Sequence, residues 1–196
     1  MNLNMKKSLI VAAALLLAVP SFAAEKTFVA DPAKTTVEFT LGDILHTVHG
    51  VFRLKSGVIR FNDATGSAGG ELVVDAASGD SGSNARDKKM KRDILEAQKY
   101  PDIVFRPQQV KGFTMREGHE QVELDGIFTL HGQDHPMSLE IPLDVNGPNA
   151  TADIHFLVPY VKWGLKDPST FILRVSKTVE IVVHAAGQFT AVSARR

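Results

Sequence analysis

From Met137 to Val145 apolar positions alternate with others: Met137, Leu139, Ile141, Leu143 and Val145 interleave with Ser138, Glu140, Pro142 and Asp144. A period of two gives a strand one dry face and one wet face. The same pattern marks Val37, Phe39 and Leu41, and Val48, Phe52 and Leu54 around Gly50. It returns at Val122, Leu124, Phe128 and Leu130, at Ala152, Ile154, Phe156 and Val158, and at Val179, Ile181 and Val183. Shorter runs at Val58–Phe61, Glu71–Val74, Ile103–Phe105 and Phe171–Val175 fill the intervals. About eight to ten strands are predicted, and the short links between them favour antiparallel neighbours. Reversals are expected at Lys55-Ser56-Gly57, Asn62 to Gly66, His131 to Asp134 and Asn146 to Asn149, where Gly, Asn and Asp supply turn backbone angles. Pro142 cannot donate to a ladder, so it predicts an edge or a bulge.

One segment changes period. Met90, Ile94 and Ala97 recur at i, i+4 and i+7 among Arg86, Lys88, Lys89, Lys91 and Arg92, which predicts a helix over 86–98 with one narrow apolar stripe. Asn84 is placed to cap it, with the Asp87 carboxylate favouring the positive end of the first turn. Pro101 ends it by pushing Tyr100 toward extended backbone. The small, polar stretch Ala76–Asn84 is expected to be a mobile loop.

A sheet with one apolar face must cover that face, and a single helix is too little cover, so a sandwich or a closed barrel is expected. A barrel of about eight strands has room for its own side chains or for one small ligand. Phe39, Phe52, Phe61, Phe105, Phe128 and Phe156 stand on different strands, mostly on apolar faces. Periodicity fits them equally to a packed core and to the walls of a cavity.

The ends and the composition narrow the class. Lys6 and Lys7 precede eleven apolar residues, Leu9–Val19, followed by Pro20-Ser21-Phe22-Ala23. This predicts a signal peptide over residues 1–23, cleaved near Ala23, and one exported domain over 24–196. The apolar run is well short of the roughly 20 residues a spanning helix needs, so no membrane-spanning segment is expected. The chain has no cysteine. Neither a disulfide framework nor a cysteine-linked lipid anchor is possible, and burial alone must stabilise the fold. Twenty-two basic residues balance 22 acidic ones, which gives no electrostatic case for a nucleic-acid partner.

Four blocks then stand in order: Val48-x-Gly50-x-Phe52, Arg86-Asp87, Lys99-Tyr100-Pro101-x-Ile103-x-Phe105, and Asp125-Gly126-x-Phe128-Thr129-Leu130-His131-Gly132. In these the chain resembles the YceI-like family of exported lipocalin-like proteins, over roughly Phe28 to Ala186. The resemblance implies an all-β fold: a lipocalin-like antiparallel β-barrel of about eight strands, with one helix between strands. It implies a periplasmic, non-catalytic binding protein that holds a long apolar isoprenoid lipid, a polyprenyl or ubiquinone-type chain, for transport, storage or stress response, often as a homodimer. No cofactor is expected besides that lipid. The ligand-facing positions on this reading are Phe39, Val48, Phe52, Ile94, Phe105, Phe128, Phe156 and Trp163, between the sheet and the helix, with Arg86 and Asp87 as a polar gate at its start. Two departures stand out. The family's usual Asp-x-x-His-Ser opening is Asp31-Pro32-Ala33-Lys34-Thr35 here, and its Asn-Arg-x-x-Phe-Gly is Pro159 to Gly164, with Tyr160 in the arginine's place. Both bear on contacts to a ligand head group and leave the tunnel positions intact.

Other chemistries find less support. There is no Gly-x-Ser-x-Gly elbow, no cysteine nucleophile and no His-Glu-x-x-His, so no catalytic residues are assigned. Gly66-Ser67-Ala68-Gly69-Gly70 leads into a strand and lacks the helix that would cradle phosphate. His46 and His49 on one regular strand face opposite ways. His131 and His135 flank a turn and would need a third ligand such as His155 or Asp134 to hold zinc, so no metal site is assigned. Against the lipid carrier stand two alternatives: a structural or regulatory periplasmic protein whose barrel is a filled core, and, further off, a metalloenzyme built on His131, His135 and His155.

Overall fold

The computed structural model describes residues 25–42, 47–114, 116–170 and 174–191. The expected signal segment, His46 and most of the expected strand Phe171–Val175 lie outside these residues. The strands are β1 (Glu25–Ala30), β2 (Thr36–Gly42), β3 (Thr47–Asn62), β4 (Ala68–Asp75), β5 (Asp102–Lys111), β6 (Gly118–Leu130), β7 (Gln133–Asn146), β8 (Asn149–Val158) and β9 (Val179–Ala191). Each pairs antiparallel with its neighbours, and the ring closes through β2–β3, β3–β4 and β2–β9. β1 pairs with the same two neighbours as β2, β3 and β9, farther along each. β1 and β2 are therefore one barrel strand broken at 31–35, where the Lys34 N–H donates to the Asp31 carbonyl and the Asp31 N–H to the Ala186 carbonyl. The molecule is a closed eight-stranded antiparallel barrel, all-β and lipocalin-like.

Sequence alternation locates most strands, and the differences have local causes. Lys55-Ser56-Gly57 is not a reversal, because β3 runs through it with a bulge between Leu54 and Ser56. The extra residue switches the inward face from Phe52 and Leu54 to Gly57, Ile59 and Phe61, so the pattern breaks where the strand does not. At the β6–β7 hairpin only His131 and Gly132 lie outside the ladder, with φ of 54° and 72°. Positive φ at both central residues is the tight-hairpin geometry that matches strand twist.

β7 pairs with β6 from Gln133 to Val145, but with β8 only from Leu143 to Asn146. Its first ten residues thus have no ladder on the β8 side. Pro136 and Pro142 both lie there within an unbroken β6 ladder, so their missing N–H groups face the unpaired side. This is the edge position expected of Pro142, and proline there blunts an otherwise open strand edge.

The helix starts earlier and ends sooner than the stripe predicts. α1 (Asn84–Lys89) runs on as a π-helical stretch, Met90–Ile94. Ser83, not Asn84, is the N-cap residue, and it makes no side-chain cap bond. The end is set by Glu96, whose φ of 46° lets the Ala97 N–H reach the Lys91 carbonyl. A left-handed residue just past the last turn closes helices in this way, although glycine is usual there. The stretch before α1 is tied down rather than free. Asp80 and Val51 exchange backbone bonds of 2.8 and 2.9 Å, Ser78 Oγ accepts from the Arg53 N–H, and Ala76, Ser78 and Gly79 are buried.

Three apolar clusters run along the barrel. At one end Met90, Ile94 and Leu95 pack on Val37, Phe39, Phe52, Leu130 and Val158, so the helix plugs that end as a lone helix among strands should. Phe105, Leu124, Leu139, Ala152 and Ile154 form the middle. At the other end Phe61, Val145, Ala150 and Phe189 are joined by Phe28 and Phe113.

Candidate ligand-binding site

Side chains do not fill the barrel. A cavity of about 210 Å³ lies inside the ring of strands, where about 10–15 Å³ on the same measure admits one water. With its mouth and the adjoining open solvent included, the atom-free space is about 1450 Å³. Among the described residues only Thr35 and Thr151 interrupt an apolar lining. The Thr35 hydroxyl is engaged with the backbone of Ala186, donating to its carbonyl and accepting from its N–H at 3.2 Å. No charged side chain lines the space. Such a site selects for shape and apolarity, because burial stabilises by about 25 cal/mol per Å² and no ion is offered a partner.

Of the positions expected to face a ligand, Phe52, Phe105, Phe128 and Phe156 line this cavity. Phe39, Val48, Ile94 and Trp163 instead belong to the cluster at the helix end. Phe39 lies over Gly50, where a Cβ would meet its ring at 2.4 Å, and packs on Phe52 with centroids 5.3 Å apart. No residue of Asn84–Ile94 lines the cavity. The space is within the ring of strands, not between sheet and helix, because the helix stripe is spent on sealing the end.

Sequence reasoning missed the opposite end. Phe28, Phe61, Phe113 and Phe189 line the cavity there and contact one another, with centroid distances from 4.9 Å (Phe61–Phe113) to 6.1 Å (Phe61–Phe189). The β9 alternation, continued from Ile181 and Val183 through Ala185 and Gly187, reaches Phe189 and could have revealed it. Phe113 has no comparable signal, since it follows β5 outside any repeat.

Arg86 and Asp87 are not at the cavity. Asp87 is buried and accepts from both the backbone N–H and the hydroxyl of Ser81. Arg86 donates through Nε to the Ser81 hydroxyl and through a terminal nitrogen to the Ser81 carbonyl, each at 2.7 Å. Together they clamp the loop that leads into α1.

At the helix end a second group of side chains meets the cavity wall. The turn after β8 is drawn tight by a Leu165 N–H bond to the Tyr160 carbonyl, and Gly164, with φ of 92°, returns Leu165 to the core. Trp163 is thereby laid on His135 of β7, rings nearly parallel at 6° and centroids 3.9 Å apart. It also touches Phe128, at 5.8 Å. Burial holds His135 below its ordinary value of 6.5, against an opposing pull from Asp134, and so favours the neutral ring. His131 packs against Tyr100 with tilted rings, centroids 4.4 Å apart, and its Nε2 is 3.5 Å from a Glu96 carboxylate oxygen but without hydrogen-bond geometry. Tyr160, in the place of the family's arginine, is buried and donates to the Ser176 carbonyl at 2.7 Å; burial, with Asp167 nearby, pushes its hydroxyl up to about 12. Lys34 reaches only Asp31, at 3.4 Å on the surface. His155 is exposed on β8, on the outer face, so His131, His135 and His155 are not brought together. Among the described residues no three His, Cys, Asp or Glu side chains form a cluster fit for a metal. No helix among them is long and apolar enough to cross a membrane.

Comparison with known proteins agrees with this architecture. The family model for the YceI-like domain matches residues 28–186. The chain belongs to the YceI-like family. A Vibrio cholerae UPF0312 protein is 30% identical over 190 residues, 93% of this chain and 98% of that protein. Solved structures share the fold. Burkholderia cenocepacia BcnA has a TM-score of 0.64 at 18% identity, over 80% of this chain and 98% of its own. A polyisoprenoid binding domain from Saccharophagus degradans has a TM-score of 0.62 at 15% identity, over 82% and 97%.

The structure gives the YceI-like blocks a shared physical basis. In three of the four, all but Arg86-Asp87, an aromatic ring lies on a glycine whose Cβ would collide with it: Phe39 on Gly50 at 2.4 Å, Phe105 on Gly126 at 2.7 Å, Tyr100 on Gly132 at 2.6 Å. Glycine in a strand forfeits packing surface, and a neighbouring ring restores it. Two of these pairs join separate blocks, which couples the segment after the helix to the β6–β7 hairpin.

Proposed function

We propose that this protein holds a long apolar isoprenoid lipid, a polyprenyl or ubiquinone-type chain, inside the barrel, without catalysis. The observation that carries the proposal is the apolar, unfilled cavity of about 210 Å³ bounded by Phe52, Phe105, Phe128 and Phe156. An isoprenoid gains about 0.8 kcal/mol for each methylene-sized group it removes from water. A long chain therefore binds through burial alone, and the lining requires nothing else of it. The shared fold with the Saccharophagus polyisoprenoid binding domain supports the same reading. With the basic and apolar start at Lys6 to Ala23 removed on export, the site of action is the periplasm. The filled-core alternative is disfavoured by the open interior.

Ala152 lines the cavity and is buried, so Ala152→Phe places a ring in the open space. It is expected to weaken binding of a long polyprenol at least tenfold, with stability changed by no more than about 1 kcal/mol, because overpacking costs little where space exists. Equal polyprenol affinity in A152F and the parent, both folded by circular dichroism, would reject the cavity as the site.

A further inference from the structure

We propose that His135, stacked under Trp163, is the head-group site for the ligand, and that it takes an uncharged oxygen head group, a hydroxyl or a quinone carbonyl, in preference to a phosphate. The proposal rests on the reading of the cavity as an isoprenoid site. Its starting point is an unpaired polar atom: His135 Nε2 is out of contact with water and has no hydrogen-bond partner. A buried polar nitrogen left unpaired is costly, and the native cost is understandable where a ligand supplies the partner.

Position connects this atom to the cavity. His135 is on the same face of β7 as Leu139 and Ile141, which line the space, and is the register partner of Phe128 on β6, which also lines it. Phe128 in turn touches Trp163, at 5.8 Å, and Phe156, at 6.0 Å. The stack thus abuts the cavity wall, beside the stretch where β7 and β8 have no ladder between them. The opposite end is walled mainly by apolar side chains, among them Phe28, Phe61, Phe113 and Phe189. On this assignment the isoprenoid lies with its head toward His135 and its tail toward Phe61 and Phe189.

Charge decides the class of head group. A phosphate would bring a full negative charge into a lining without lysine or arginine. His135 does not supply the missing cation, since burial favours its neutral form. His131, the neighbouring histidine, already faces the Glu96 carboxylate. A neutral imidazole nitrogen can pair with a carbonyl as donor or with a hydroxyl as acceptor.

The test compares three ligands on the full chain at neutral pH: a long polyprenol, its monophosphate, and squalene, an isoprenoid hydrocarbon with no head group. Polyprenol should bind at least tenfold more tightly than its monophosphate. His135→Phe, which keeps a ring for Trp163 to stack on, should weaken polyprenol about three- to tenfold and leave squalene within twofold. His135→Gln, which restores a hydrogen-bonding side chain, should recover much of the loss. Equal loss of polyprenol and squalene in H135F, no loss of either, or a monophosphate bound as tightly as the alcohol would overturn the assignment while leaving the cavity as the chain site. Failure of all three ligands to bind the unsubstituted protein would overturn the cavity reading and the head-group site with it.

Discussion

Gly132 shows how much one residue decides here. Its φ of 72° favours glycine, and a Cβ at that position would stand 2.6 Å from the Tyr100 ring. Gly132→Ala therefore meets backbone strain and a collision together, and should destabilise the protein by about 1–3 kcal/mol, read from the midpoint of urea unfolding. An unchanged midpoint would mean that Tyr100 and the hairpin are not coupled as described. The residues of this contact were visible in the sequence as family blocks, and the hairpin as a turn. That the rings rest on the glycines was not, because such pairs depend on strand register, which periodicity does not give. Phe39 illustrates the same limit: its inward position was legible, but its ring is spent on Gly50 and not on the cavity.

Among the elements, the long alternations of β6, β7 and β8 could be read directly, since each presents one face to the interior without interruption. β3 could not, because its bulge moves the dry face by one residue and makes one long strand look like two short ones with a turn between. The helix was legible as a helix through Met90 and Ile94, but its end was not, as a glutamate in a left-handed conformation carries no signal of its own. The order of the loop before it has no local signal either. Its order comes from bonds to β3, notably Val51 with Asp80, and from the Arg86–Ser81–Asp87 clamp, none of which is local in pattern. Asp87→Ala leaves the Ser81 N–H and hydroxyl without their acceptor and is expected to cost about 1–3 kcal/mol. Amide exchange should speed at Ser81 and Asp80 before the barrel strands respond, and uniform exchange across the barrel would contradict a local clamp.

For the whole molecule, the sheet closes on itself, with ladders missing among the described residues between the first part of β7 and the later part of β8 and between the start of β4 and the end of β5, and the two ends of the barrel are finished differently. Met90, Ile94, Leu95 and Trp163 fill one end, whereas phenylalanines ring the other, and the space between them is apolar and open. The all-β class followed from alternation and from the shortage of helix, which left a sandwich or a closed barrel; the barrel itself was implied by the YceI-like resemblance. The empty interior did not follow, since a packed core and a lined cavity place the same residue types at the same period. The most direct test is therefore organic extraction and mass spectrometry of the protein purified without detergent. The account predicts an isoprenoid species in about one-to-one amount with protein, bearing an uncharged head group. An extract with no lipid, unchanged after incubation of the protein with polyprenols and prenylquinones, would contradict it.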